Sequence, residues 1–274
     1  MRKKINIPGT IFIAFASLMI LIPLYMAFNI SVKNAQETAQ SVWAFPTVIH
    51  WENFAKAIEM TNFFNAFKNS FVITVLSVVF TILTNSMVAY AIARNMKNSK
   101  FYKFLYYYFV SALFIPFPII MLPIVKLAAA THFNNQWGLT FLYIVYGISF
   151  NMFIYIGYIK SIPIELDEAA KVDGCGPWTT FWKVIFPLLA PINATIGILT
   201  ALWAWNDFML PLILLGDPNN MTLPLVQYIF KTKFGVDYNL AFASYMMALT
   251  PMILFYMVAQ KWIFSKITSG SVKI

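Results

Sequence analysis

Long apolar runs separated by short polar intervals dominate the chain. Six of them, at residues 10–31, 70–93, 104–127, 138–160, 188–213 and 239–264, approach or exceed the ~20 residues a helix needs to cross a bilayer. Only segments that satisfy their own backbone hydrogen bonds can sit in lipid. The pattern therefore predicts an all-α membrane protein, with one transmembrane domain over residues 1–274. Prolines interrupt several runs: Pro23, then Pro116, Pro118 and Pro123, then Pro211 and Pro251. The third run carries IPFPIIMLP at 115–123, and a kinked or broken helix is expected there, because each proline removes a donor and crowds the preceding turn. At the start, Arg2, Lys3 and Lys4 precede an apolar run from Ile11 to Ile30. That run is too long for a signal-peptide core and no small-x-small site follows it, so an uncleaved first span is expected.

Two polar intervals carry structure of their own. In 161–187, Pro163 can open a helix, and Glu165, Asp167 and Glu168 sit near the positive end of its dipole. Leu166, Ala169, Ala170 and Val172 supply small and apolar positions, and Gly174 is placed to stop the helix. A second short helix, Trp178 to Ile185, is expected before Pro187 breaks the run. The alanine pair would let another surface approach the backbone; an ordinary loop helix accounts for the composition equally well. In the longest interval, 32–69, Phe54, Ile58, Phe63, Phe64 and Phe67 recur at near-helical spacing among Lys56, Glu59, Asn62 and Lys68. That spacing predicts an amphipathic helix at the outer interface, with a docking surface for an external partner as the sharper reading.

Composition agrees: 60% of residues are hydrophobic, 18% aromatic and 11% charged, where soluble domains carry about one-quarter charged residues. The net charge of +9 would suggest nucleic acid in a soluble protein. Here it reports the positive-inside bias: with the N-terminus inside, thirteen Lys and Arg fall on inner segments and six on outer ones. Both termini and the 161–187 interval are thus expected in the cytoplasm, and no nucleic-acid partner is expected. The single cysteine, Cys175, rules out an internal disulfide.

Catalytic chemistry is poorly supplied. His50 and His132 lie far apart without acidic or thiol neighbours at ligand spacing, and neither a nucleophile-elbow nor a phosphate-cradling motif is present. No catalytic or metal residue is expected, and any ATP would be hydrolysed on another chain. Polar residues inside the spans are more informative, because burying them is costly. Trp203, Trp205, Asn206 and Asp207 cluster in LWAWNDFMLPL, and Asp207 is the one acidic residue within a predicted span. A polar pathway wall suited to a sugar explains all four; an interfacial tryptophan belt with Asp207 near water explains them as well. Asn151, Tyr155 and Asn85 are further candidates, their default role being interhelical hydrogen bonds worth ~1 kcal/mol.

Glu168-Ala169-Ala170, three residues, Gly174, nine residues, then Val184-Ile185-Phe186-Pro187 resembles the EAA loop of ABC-importer permeases, E-A-A-x3-G-x9-I-x-L-P. Val184 and Phe186 replace Ile and Leu, apolar for apolar. AYAIAR at 89–94, WGLTFLYIVYGISFNMFI at 137–154, IPIELDEAAKVDG at 162–174, WNDF at 205–208, TLPL at 222–225 and QKWIFSKITSGSVKI at 260–274 extend the resemblance over nearly the whole chain. These pieces look like the carbohydrate-uptake branch, specifically the maltose-transporter-type second permease subunit. Asp207 stands where that branch commonly has Glu.

The resemblance implies a type I importer fold of six transmembrane helices in a bacterial or archaeal cytoplasmic membrane. It implies that Glu165, Leu166, Glu168, Ala169, Ala170, Asp173, Gly174 and Pro187 belong to a coupling helix and loop that dock into a cytoplasmic ATPase. The implied partners are a second, homologous permease subunit, two ATPase subunits carrying ATP and Mg, an extracytoplasmic sugar-binding protein, and lipid. No cofactor is expected on this chain itself. Ser265–Ile274 would also reach the ATPase surface. The implied function is passage of a sugar or oligosaccharide by alternating access. A permease for a non-sugar solute is the first alternative. An ion-coupled secondary transporter is the second, and it would need more intramembrane carboxylates than Asp207.

Overall fold

The computed structural model describes residues 7–232 and 235–270, with side chains described over 7–230 and 237–258. Arg2, Lys3, Lys4, Lys233, Lys273 and the end of the Ser265–Ile274 tail lie outside the described residues. The elements in order are α1 (Ile7–Ser31), α2 (Ala35–Gln40), α3 (Glu52–Met60), α4 (Phe63–Asn95), α5 (Lys100–Ala112), α6 (Phe117–Ala130), α7 (Gln136–Ile159) and α8 (Glu165–Val172). They continue with α9 (Pro177–Thr179), a π-helical stretch (Thr180–Ile185), α10 (Phe186–Leu188), α11 (Ala190–Asn206), α12 (Met209–Leu214), α13 (Leu223–Val226) and α14 (Tyr238–Gly270). The two-residue strands β1 (Lys231–Thr232) and β2 (Gly235–Val236) pair antiparallel before α14. Among the described residues, α1, α4, α7 and the Tyr238–Val258 part of α14 are long and apolar enough to cross a membrane, and counting each of two bent pairs as one span gives up to six.

The bends fall where proline dictates. Helices α5 and α6 meet at 104°, with Pro116 extended at the start of α6, because the residue preceding Pro116 is pushed out of the helical region and Pro118 suits the first turn of the next helix. The fifth run differs from a continuous 188–213 helix. Helix α11 ends at Asn206, Asp207 is extended (ψ 130°), and α12 restarts at Met209. The Pro211 ring would clash with the carbonyl four residues back, on Asp207, and has no N–H to offer it. Likewise Pro187 does not end its helix, as α10 runs through it to Leu188. The preceding π-helical stretch is wider than an α-turn and accommodates the missing donor, and the 77° bend to α11 comes after it.

The chain forms two compact units. The first comprises Met1–Ala66 and Val226–Ile253. Its order comes from polar side chains gathered on the C-terminal carbonyls of α1. The Asn239 amide donates to Ile30 O at 2.9 Å, and Asn53 donates to Ser31 O at 3.0 Å and Lys33 O at 2.8 Å. Lys33, fully buried, donates to the carbonyls of Ser41 and Ala44. The Asn239 and Asn53 amides satisfy acceptors a helix end leaves open, and Lys33 fastens the following loop just beyond α1. The expected amphipathic helix is two helices: α3 packs Ala57 against Phe230, Ala241 and Ala243, and Asn62 (φ 45°) turns the chain into α4.

The second unit comprises Phe67–Leu225 and Leu254–Ile274. It has two apolar clusters distributed along α7. One gathers Tyr143 and Leu139 with Ile73, Ala204, Leu210 and Leu214. The other gathers Met152, Tyr155, Ile156 and Ile159 with Ala89, Ile92, Phe181 and Ile185. Asn135 caps α7, accepting from Gly138 N at 3.0 Å. A Cβ at Gly138 would lie 1.9 Å from Phe133 O, so the turn into α7 requires glycine.

Candidate functional site: a polar helix at one end of the second unit and an aromatic cleft along α7

Helix α8 begins at Glu165, just after Pro163, with Glu165, Asp167 and Glu168 in its first turn. It ends at Gly174, whose φ of +79° is the left-handed conformation glycine adopts freely. Gly174 N donates to Lys171 O at 3.0 Å and Cys175 N to Ala170 O at 2.8 Å, the paired bonds of a Schellman stop. Only Asp167 and Ala170 are buried in this helix. Glu165, Leu166, Glu168, Ala169, Lys171 and Val172 face outward, Val172 being 88% exposed. Ile164 and Trp178 extend the exposed apolar surface. The alanine pair therefore divides: Ala169 is open to another surface, while Ala170 packs within the chain.

Asp167, which the sequence distinguishes from Glu165 and Glu168 only by position, points inward. Arg94 at the end of α4 pairs with it at 2.8 Å. The sequence signal was the cation closing AYAIAR at the last turn of α4, where no acidic neighbour on the same helix claims it.

Of the residues expected to line a pathway, the structure brings together Asn151 and Trp203. They share the wall of a cleft of about 680 Å³ with Tyr143, Tyr146, Ser149 and Thr200. Trp203 stacks on Tyr146 (ring centroids 6.0 Å apart, 14° between planes) and meets Tyr143 edge-on at 4.8 Å. Ser149, Asn151 and Thr200 are buried at its wall. The other four residues lie elsewhere. Tyr155 is buried in the apolar cluster and donates to Asn193 Oδ1 at 2.7 Å. Trp205 is buried edge-on against Phe67. Asn206 is exposed and donates back to Leu202 O. Asp207 accepts the Tyr143 hydroxyl at 2.9 Å and the Met209 N–H at 3.1 Å, so it joins the end of α11 to α12 and to the cleft's own Tyr143. Asn85 is fully buried on α4. Sequence reasoning missed Tyr146, which no polarity or spacing distinguishes from the other tyrosines of the chain. Among the described residues no three His, Cys, Asp or Glu side chains come together as a metal site would require.

Long apolar helices with bent pairs among them are what a membrane-embedded component requires. Residues 85–269 match the family described as the inner membrane component of binding-protein-dependent transport systems, and the chain belongs to that family. It is 40% identical over 265 residues to the multiple sugar-binding transport system permease protein MsmG of Streptococcus mutans, covering 96% of this chain and 95% of that protein. It is 34% identical over 257 residues to the probable starch degradation products transport system permease protein AmyC of Thermoanaerobacterium thermosulfurigenes (94% and 93% covered). It is 32% identical over 266 residues to the melibiose/raffinose/stachyose import permease protein MelC of Bacillus subtilis (96% and 95%). Its fold matches a solved chain of a bacterial ABC transporter involved in the import of the acidic polysaccharide alginate, with a TM-score of 0.80 over 93% of this chain and 95% of that one, at 21% identity. The chain is an ABC-importer permease.

Proposed function

We propose that this permease passes a sugar or oligosaccharide into the cytoplasm, driven by ATP hydrolysed on partner subunits. The observation that carries the sugar reading is the cleft on α7 and α11. There the stacked Trp203 and Tyr146 offer aromatic faces beside the Asn151 amide and the hydroxyls of Ser149 and Thr200. Aromatic surface with a few placed polar groups is what a pyranose ring needs for stacking and hydrogen bonding. The transport system names of the relatives support the same substrate class.

In this reading the exposed face of α8, with Glu165, Leu166, Glu168 and Ala169, docks on a cytoplasmic ATPase, and Asp173, Gly174 and Pro187 shape the loop behind it. Two such ATPase subunits carry ATP and Mg, a second permease of similar fold pairs with this chain, and an extracytoplasmic binding protein delivers the sugar. This chain sits in the cytoplasmic membrane with both termini inside, as its Lys and Arg distribution favours, and itself performs no hydrolysis.

The test is uptake of radiolabelled raffinose, melibiose and a starch hydrolysate into proteoliposomes holding the complex purified through a tag on this chain. MgATP is placed inside and the binding protein encoded beside it outside. MgATP-dependent uptake of one of these supports the reading. ATPase co-purification with uptake of an amino acid or phosphate, and of none of the sugars, replaces the substrate class. Uptake by this chain alone on an ion gradient overturns the ATP-driven reading.

A further inference from the structure

Arg94 stands where three elements of the second unit meet. Its Nη2 pairs with Asp167 Oδ2 at 2.8 Å, and both terminal nitrogens donate to Ile162 O at 3.2 Å. Nη1 also reaches Ile159 O at 3.4 Å. One turn earlier on α4, Tyr90 donates its hydroxyl to the other carboxylate oxygen, Asp167 Oδ1, at 2.5 Å. Its ring packs against Phe181 in the π-helical stretch, with centroids 5.3 Å apart. Arg94 is 13% exposed at the side chain and Asp167 7%. The end of α4 thereby holds the last carbonyl of α7, the Ile162 carbonyl between α7 and α8, and both carboxylate oxygens of Asp167.

Helix α8 has eight residues and buries two, Asp167 and Ala170. A helix of that length does not persist alone in water, and a single alanine gives it little apolar grip. It rests against the π-helical stretch, and the Arg94–Asp167–Tyr90 contacts fix its place against α4 and the end of α7. Apolar packing tolerates sliding, whereas the hydrogen bonds of Tyr90 to Asp167 Oδ1 and of Arg94 to Ile162 O are directional, and breaking the Arg94–Asp167 ion pair leaves a buried charge without its partner.

We infer that Arg94 and Tyr90 are positioning residues that lock the outward-facing helix α8 to the ends of α4 and α7, so that load applied to α8 moves those helices with it. The inference rests on the reading of α8 as the ATPase-docking helix. It adds that the link from that helix to the membrane spans is a buried ion pair on the one acidic residue of α8's first turn that faces inward.

Hydrogen exchange on the complex as purified, in nanodiscs, tests it. In the wild type, peptides over 165–175 should be protected, and MgATP with orthovanadate should alter exchange over 86–95. Arg94→Gln and Asp167→Asn should each speed exchange over 165–175 by about tenfold and abolish the nucleotide response over 86–95, with the double variant no faster than either single one, because the two residues act through each other. Tyr90→Phe, which keeps the ion pair, should give a smaller increase. Arg94→Lys should give an intermediate response, since it keeps the charge and loses the fork to Ile162. Unchanged exchange in Arg94→Gln, a retained nucleotide response, or a double variant near a hundredfold would each overturn the inference. The docking reading is scored separately, by the amount of ATPase that co-purifies with Glu168→Ala. Full ATPase recovery there sinks docking, while unchanged exchange in Arg94→Gln with ATPase still bound sinks the clamp alone.

Discussion

The Tyr143 hydroxyl donates to Asp207 Oδ2 at 2.9 Å, tying the middle of α7 to the break between α11 and α12. Tyr143 is fully buried, so the bond forms away from water, where losing it is costly. Tyr143→Phe should lower stability by about 1.5–3 kcal/mol, the range for a hydrogen bond to a charged group, read as a reduced unfolding midpoint in detergent. Because the ring also forms the cleft wall beside Trp203, the same variant should retain the apolar packing and lose only the tether. An unchanged midpoint would show that Asp207 is held by the backbone N–H groups at the start of α12 alone.

Trp203 is the aromatic face that the cleft offers, stacked on Tyr146. Trp203→Ala should weaken half-saturating sugar uptake by roughly tenfold, about 1.4 kcal/mol of lost contact, while Trp205→Phe, in a buried position away from the cleft, should leave uptake near wild type. Measured uptake curves for the two variants in the same proteoliposomes decide between the cleft and the neighbouring tryptophan.

Gly174 sits at φ +79°, a backbone conformation that costs an L-residue about 1–2 kcal/mol. Gly174→Ala should fray the end of α8 and reduce the ATPase recovered with the complex. Gly174→Asn should do so less, since asparagine visits that region more readily. Equal recovery with Ala and wild type would remove the Schellman stop from the account of docking.

In the first unit, the hydroxyl and amide of Thr47 hold the Glu37 carboxyl below the usual carboxylate range. A lowered value means the folded state favours the charged carboxylate. The contribution is full above the unfolded carboxyl's ~4.3 and is lost as pH falls through the lower folded value. Exchange at the Thr47 amide should therefore quicken on acidification into that range, beyond the intrinsic pH trend. Glu37→Gln should show no such step. Glu37 is half-buried on the short helix α2 and its contact is with a position ten residues away, so the effect is local rather than a loss of the whole fold.

A carbon at position 138 would meet backbone, not a flexible side chain. Gly138→Ala should destabilise by about 1–3 kcal/mol or more, the usual result of forcing atoms into a packed site. Asn135→Ala, which removes only the cap, should cost about 1 kcal/mol. Thermal unfolding of the two variants gives the comparison.

Much of this was legible in the chain. Hydropathy located every long helix, and the prolines of IPFPIIMLP marked the bend between α5 and α6. Gly174 and the three acids before it described both ends of α8. The misreadings share a cause. Pro211 breaks its helix and Pro187 does not, because the outcome depends on whether the preceding turns can widen, as the π-helical stretch does. Asp167 and Glu168 look alike in a helix's first turn, and only the distant Arg94 distinguishes the one facing inward. In the sequence Trp203, Trp205, Asn206 and Asp207 read together as one wall, with Asn151 and Tyr155 as further candidates. Helical phase separates them, since Trp203 and Trp205, two positions apart on α11, project about 200° from each other.

The π-helical stretch Thr180–Ile185 holds one residue more than an α-helix would over the same turn. The wider turn takes up that residue within itself, so the helical phase on either side of the stretch is kept. What the extra residue supplies is slack, and it lies directly before Pro187. Chains that share every motif but lack that residue would close the stretch to α geometry and meet the proline with no slack.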